Sequence, residues 1–108
     1  TSRICFHKNI KSAVHKMLIC HQKSFHIKPH LHKTKIESCL VLKGSMDVLF
    51  YNSRGEVTHK NKMSSDNNFF ITIPSNIFHP MKVTSNYVIF FEITKGPFSK
   101  KHTTYPKW

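Results

Sequence analysis

Glycine is scarce in this chain: Gly44, Gly55 and Gly96 are the only three in 108 residues. A phosphate-cradling loop needs several glycines within one short turn, and no such loop is present. No G-x-S-x-G elbow occurs either, which removes the usual strand–turn–helix serine nucleophile. The cysteines Cys5, Cys20 and Cys39 are odd in number and form no C-x-x-C pair. Reduced thiols in a cytoplasmic protein are the simplest account of them. No run of 18 apolar residues exists, so no membrane-spanning helix is expected. Helical heptads and internal repeats are also missing. Acidic residues number five against 17 basic ones, a formal net charge of +12. Such a chain attracts phosphates. Yet Arg3 and Arg54 are the only arginines, and the lysines are scattered without a run of five like charges. Arginine is the residue that grips phosphate bidentately, so the pattern favours a solvated lysine-rich surface over a nucleic-acid footprint. A small substrate bearing phosphate or carboxylate suits the same charge.

What is present is a succession of short strands. The length fits one domain that buries roughly 65% of its unfolded surface. Residues 13–20 alternate and then turn apolar, and no helix cap introduces a period of 3.6. Ser24 to His32 reads as the next strand and Glu37 to Lys43 as another. In the latter, Glu37, Cys39 and Val41 share one face and Ser38, Leu40 and Leu42 the other. Gly44 suits a tight turn into Ser45 to Tyr51, read as the partner strand of a hairpin. Asn52-Ser53-Arg54-Gly55 has turn composition, and residues 57–62 continue as an exposed strand. Phe69 to Ile73, Phe78 to Val83 and Tyr87 to Thr94 complete the set, the last apolar on both faces except at Glu92. Turns recurring every roughly 8 to 12 residues indicate a double-sheet jelly roll or small barrel. Residues 1–12 form an N-terminal arm around this single domain. Residues 97–108 lack periodicity and are expected to wrap over the barrel through Phe98, Tyr105 and Trp108.

Chemistry concentrates between Pro29 and Gly44. His30 and His32 are two apart, so on a strand both imidazoles face the same way. Glu37 lies five further on, an odd number, so residues 33–36 must turn or bulge to bring it back. His79 follows the turn-like Pro74-Ser75-Asn76 and supplies a further ligand. Imidazoles and a carboxylate on a β scaffold suit one divalent transition metal: Zn, Ni, Fe or Mn. If the strand ending at His32 is regular, His26 and Lys28 share the ligand face, and Lys28 and Cys39 become substrate-binding candidates. Pro29 is the reason for caution on parity, because it demands an edge position or a local irregularity.

Two spacings carry a resemblance. The first cupin motif, G-x5-H-x-H-x4-E-x6-G, matches from Ser24 through His30, His32 and Glu37 to Gly44, with serine in place of the leading glycine. The second, G-x5-P-x-G-x2-H-x3-N, matches from Asn68 through Pro74, Asn76 and His79 to Val83. Asparagine replaces both glycines there, and it is the residue after glycine that best tolerates a left-handed backbone. Val83 replaces the final asparagine, which is not a ligand in cupins. The resemblance implies a cupin double-stranded β-helix with one metal on His30, His32, Glu37 and His79. Further segments are R-x2-F-H from Arg3, E-x4-L-K-G from Glu37, F-x-N-x2-G-E-V, F-E-I-T-K-G-P-F and the final Y-P-K-W. Through these the chain resembles the WbuC family of cupin-fold metalloproteins, associated with bacterial O-antigen and surface-polysaccharide gene clusters. His7 matches that family's N-terminal histidine. The family carries more residues ahead of the Arg3 segment, which implies that residues precede Thr1.

Three functions fit. The first is a metal-dependent enzyme of lipopolysaccharide or other surface-polysaccharide biosynthesis. It would act on an anionic sugar or nucleotide sugar by isomerase or epimerase chemistry, with His26, His7 or Glu92 as the candidate base. The second is a sugar-binding or regulatory cupin without turnover. The third is a basic nucleic-acid-binding barrel with a structural metal. The oligomeric state is open, a homodimer included.

Overall fold

The computed structural model describes residues 1–98 and 103–108. Ten strands follow in order: β1 (Ser2–Cys5), β2 (Val14–Gln22), β3 (His26–His32), β4 (Glu37–Lys43) and β5 (Ser45–Tyr51), then β6 (Val57–Ser64), β7 (Phe70–Ile73), β8 (His79–Val83), β9 (Tyr87–Lys95) and β10 (Thr103–Thr104). They form two five-stranded sheets, β1-β2-β9-β4-β7 and β10-β3-β8-β5-β6, with every pairing antiparallel. This is the all-β double-sheet jelly roll of a single domain. No helix occurs among the described residues, and none is long and apolar enough to cross a membrane.

Period-2 patterning builds both layers. Along β5, Met46, Val48 and Phe50 are buried while Ser45, Asp47, Leu49 and Tyr51 are half-buried. Along β4, Glu37, Cys39 and Val41 point inward. The two inner faces meet in one core, with Met46, Met63, Val48 and Val88 its most enclosed side chains. Burial of that apolar surface is the main stabilising term, at roughly 25 cal/mol per Å². β9 is less symmetric than an all-apolar strand suggests. Val88, Phe90 and Thr94 are buried, whereas Tyr87 and Ile93 on the outer face are exposed.

Gly44 does not close a hairpin between β4 and β5. Those strands lie in different sheets, and the chain crosses from one layer to the other at this residue. Its φ is +84°, and a Cβ there would collide with the Tyr87 carbonyl oxygen. The hairpin partner of β5 is β6, through the turn at residues 52–56. Three non-glycine residues also have positive φ: Ser24 (69°), Asn68 (53°) and Asn76 (61°). These are the three positions at which the sequence departs from motif glycines, so the backbone keeps the glycine conformation without the glycine.

β1 is an edge strand on β2, in register from Ser2 opposite Cys20 to Cys5 opposite Met17. At the other terminus β10 pairs with β3, Thr103 opposite His32. Trp108 then packs edge-on against Tyr51 and Phe78 and donates its indole N–H to the Ser53 carbonyl at 3.1 Å.

Candidate metal centre

Two sheets contribute to one cluster. His30 and His32 lie on β3, and His79 on β8 is the direct cross-strand partner of His30. Glu37 opens β4 in the opposite sheet. Residues 33–36 therefore do not bulge within a strand. They carry the chain across the sandwich, and Glu37 meets the histidines face to face. One ligand atom from each of the four lies within 4.8 Å of every other, the spacing of a group that could hold a metal ion. Imidazole centroids are 4.4 Å apart for His30 and His79, 4.9 Å for His30 and His32, and 5.8 Å for His32 and His79.

The hydrogen bonds behind the rings set which nitrogens face inward. His30 donates Nδ1–H to the Lys28 carbonyl at 2.9 Å, and His79 donates Nδ1–H to the Ile77 carbonyl at 3.0 Å. A carbonyl only accepts, so both rings present an unprotonated Nε2 to the cluster. His32 Nδ1 pairs with the Thr103 hydroxyl at 3.3 Å. Its Nε2 lies 2.6 Å from Glu37 Oε1, and His79 Nε2 lies 4.0 Å from the same oxygen. Apart from this ion-pair contact with His32, buried Oε1 has no hydrogen-bond partner. Buried polar atoms are rarely left so. Lone pairs of imidazole and carboxylate converging on one point repel each other unless a cation sits among them. The donor set therefore fits a divalent ion, with neutral histidines and a charged carboxylate as ligands.

Electrostatics agree with that protonation. Burial lowers His79 to about 4, outweighing the Ile77 hydrogen bond and the Glu37 charge that oppose it. Burial likewise lowers His30. Burial alone would raise Glu37, but His32, through contact and charge, and then His79 and Lys35, hold it below the usual carboxylate range. Glu92, half-buried nearby, moves the other way: desolvation first, then repulsion by Glu37, make it take up a proton more readily. Burial also pushes the Cys39 thiol well above its ordinary value, with Glu92 and Glu37 adding to the shift, so it is a protonated thiol rather than a nucleophile.

The cluster forms part of the lining of a cavity of about 650 Å³ between the sheets. His7, Cys39 and Glu92 line it too. His7 stacks on His15 with ring centroids 4.0 Å apart, and Glu92 stands opposite Cys39 in the β9–β4 register. His26 and Lys28 are not there. They are exposed and border a separate depression on the outer wall with Asp47, Lys60 and Lys82. The register of β3 against β8 shifts between Ile27 and His30, at Pro29, and that irregularity reverses the face before the ligands begin. The parity that grouped His26 and Lys28 with His30 is thereby corrected. Sequence reasoning also passed over Arg3, Lys35, His15 and His21, all of which line the cavity, and Thr103, which supports His32.

The fold is the cupin double-stranded β-helix. The domain resembles the solved cupin domain of Schizosaccharomyces pombe Cnp3, with a TM-score of 0.70 and 13% identity over 86% of this chain and 62% of that one. It resembles the capsular polysaccharide assembling protein CapF of Staphylococcus aureus, with a TM-score of 0.81 and 17% identity over 98% of this chain. The chain spans only 32% of CapF, which has also been solved with the inhibitor 3-isopropenyl-tropolone. KdgF from Halomonas sp. matches with a TM-score of 0.69 and 14% identity, over 92% of this chain and 80% of that one. At these identities the likeness is one of fold. No curated protein matches in sequence. The chain belongs to the family described as Domain of unknown function (DUF6016), whose model matches residues 2–63.

Proposed function

We propose that this domain binds one divalent transition metal through His30, His32, Glu37 and His79, and that it acts on a sugar or nucleotide sugar of surface-polysaccharide biosynthesis by isomerase- or epimerase-type chemistry. The observation that carries the metal is the convergence of buried Glu37 Oε1 and three histidine nitrogens, all within 4.8 Å of one another. A divalent ion bound there would serve as a Lewis acid for a hydroxy-ketone or carboxylate. The chain's own residues supply the rest. Met17, Ile19 and Phe90 give the cavity an apolar wall. Glu92 is the best-placed carboxyl to hold and return a proton, because it lines the same cavity without belonging to the ligand cluster. His7 stands at the β1 side as a second proton carrier.

The polysaccharide setting is supported by the WbuC-type motifs and by the likeness to CapF, a capsular polysaccharide assembling protein. A tropolone, the inhibitor class seen with CapF, carries adjacent hydroxyl and carbonyl oxygens, the donor pattern of a hydroxy-ketone sugar.

The test joins metal analysis to turnover. Wild type should hold one metal per chain, and the His30→Ala, His79→Ala double variant none. Chelation should lower the melting temperature and leave a cooperative transition, since the core around Met46, Val48 and Val88 is apolar and separate. A screen of metal-loaded protein against nucleotide sugars should find turnover that Glu92→Gln reduces. Full metal content in the double variant would refute the site. Binding without turnover across the screen would make the domain a sugar-binding cupin instead.

A further inference from the structure

Two cations border the same cavity without a partner. Arg3 on edge strand β1 stands opposite Ile19, a buried residue of the inner face, and it lines the cavity. Lys35 lies in the crossover two residues before Glu37, and its Nζ sits 6.0 Å from the Phe98 ring centroid. That cation–π contact holds the ammonium at the rim rather than free in solvent. Among the described residues, neither cation has a carboxylate within 4.0 Å. Both nonetheless act on the cavity: Lys35 on Glu37, His30 and Glu92, and Arg3 on Glu92 and His21.

Charge counting shows what they are free to do. Glu37 and Glu92 are the only carboxylates in the lining. With both counted as ionised, Arg3 and Lys35 balance them. A divalent ion on the histidine cluster then leaves the cavity with two positive charges. Apolar walls keep the local dielectric low and strengthen the resulting field. Distance matters as well. Three strand spacings, roughly 14 Å, separate the β1 backbone from β4. The arginine side chain covers part of that gap and leaves room for one sugar-sized ring.

We infer that Arg3 and Lys35 are the cations of an anion-selecting cavity, which favours ligands carrying a carboxylate or phosphate. This rests on the metal reading above and names the substrate class for it. Arg3 supplies the planar fork that matches an oxyanion bidentately, and Lys35 supplies a mobile point charge. It also relocates the positive charge of the pocket. Lys28, on the outer wall, has no part in it.

The test uses the full metal-loaded chain and three probes by calorimetry: glucuronate, glucose 6-phosphate and glucose. At least one acid should bind about tenfold or more tightly than glucose. The two acids distinguish a carboxylate subsite from a phosphate subsite. The Arg3→Gln, Lys35→Gln double variant should lose that preference while metal content, glucose affinity and melting temperature hold. The Arg3→Lys, Lys35→Arg double variant, which keeps both charges, should retain a preference. Equal binding of acids and glucose by wild type, or an undiminished preference in the glutamine variant, would overturn the subsite. Metal analysis of the same samples reports on the underlying reading separately. A chain without metal that still selects acids through Arg3 and Lys35 would keep the subsite and remove the metal.

Discussion

His21 and His79 invite comparison. Both are buried in the same cavity wall, 3% and 4% exposed, and burial lowers both to about 4. Their surroundings differ. His21 stacks on Phe25 with centroids 4.0 Å apart, leans on Phe90 and pairs its Nδ1 with the Thr1 hydroxyl at 2.9 Å. No carboxylate faces it in that contact set. His79 turns its Nε2 toward a buried carboxylate oxygen and two further imidazoles. The lesson is that burial and a depressed pKa do not by themselves mark a ligand. Convergence of several ring nitrogens on one buried carboxylate oxygen does.

The sharpest way to break the comparison is to truncate each ring. His79→Ala should lower metal affinity well beyond the roughly 10–100-fold that loss of a supporting group costs. His21→Ala should leave metal stoichiometry intact and reduce stability by roughly 2 kcal/mol through lost packing. Metal analysis and denaturant unfolding of the two variants check this. Equal metal loss in both would erase the distinction.

A smaller effect separates them by support rather than by ligand. Thr103 reaches His32 from β10, so Thr103→Val should weaken metal binding about tenfold and leave the fold unchanged. A competition titration against a chelator reads this directly. No change would mean that the β10 contact orients nothing.

The smallest effect is in the pH dependence of stability. His21 titrates near 6.5 when unfolded and is lowered to about 4 when folded, because burial first and nearby positive charge, Arg3 included, oppose its charge. The unfolded chain therefore takes up that proton first as pH falls. Stability should drop between about pH 6.5 and 4 and level off below. His21→Phe keeps the stack on Phe25 and should flatten part of that drop. Melting of both proteins from pH 7 to 4 measures it, and identical slopes would place the acid sensitivity elsewhere.

Much of the architecture was legible in alternation alone. Met46, Val48 and Phe50 turn inward, and so do Glu37, Cys39 and Val41, as period 2 requires. The His30-Leu31-His32 spacing likewise announced a shared face. Legibility failed at irregularities. Pro29 interrupts the β3–β8 register, so the parity that works from His30 to His32 fails from Lys28 to His30. Gly44 read as a hairpin turn because a one-residue reversal and a one-residue crossing look alike in sequence.

By itself the sequence determined the strand content, the four candidate ligands and the left-handed turns at Asn68 and Asn76. These depend on local chemistry: side-chain alternation, ring nitrogens at fixed spacing and backbone sterics. Only the tertiary structure decided that Glu37 meets the histidines from the opposite sheet, that Lys28 faces outward, and that Arg3 and Lys35 share the cavity. Those placements depend on how two sheets stack and where one strand bulges. Such long-range choices are made by the burial of the whole core and are written in no single stretch of chain.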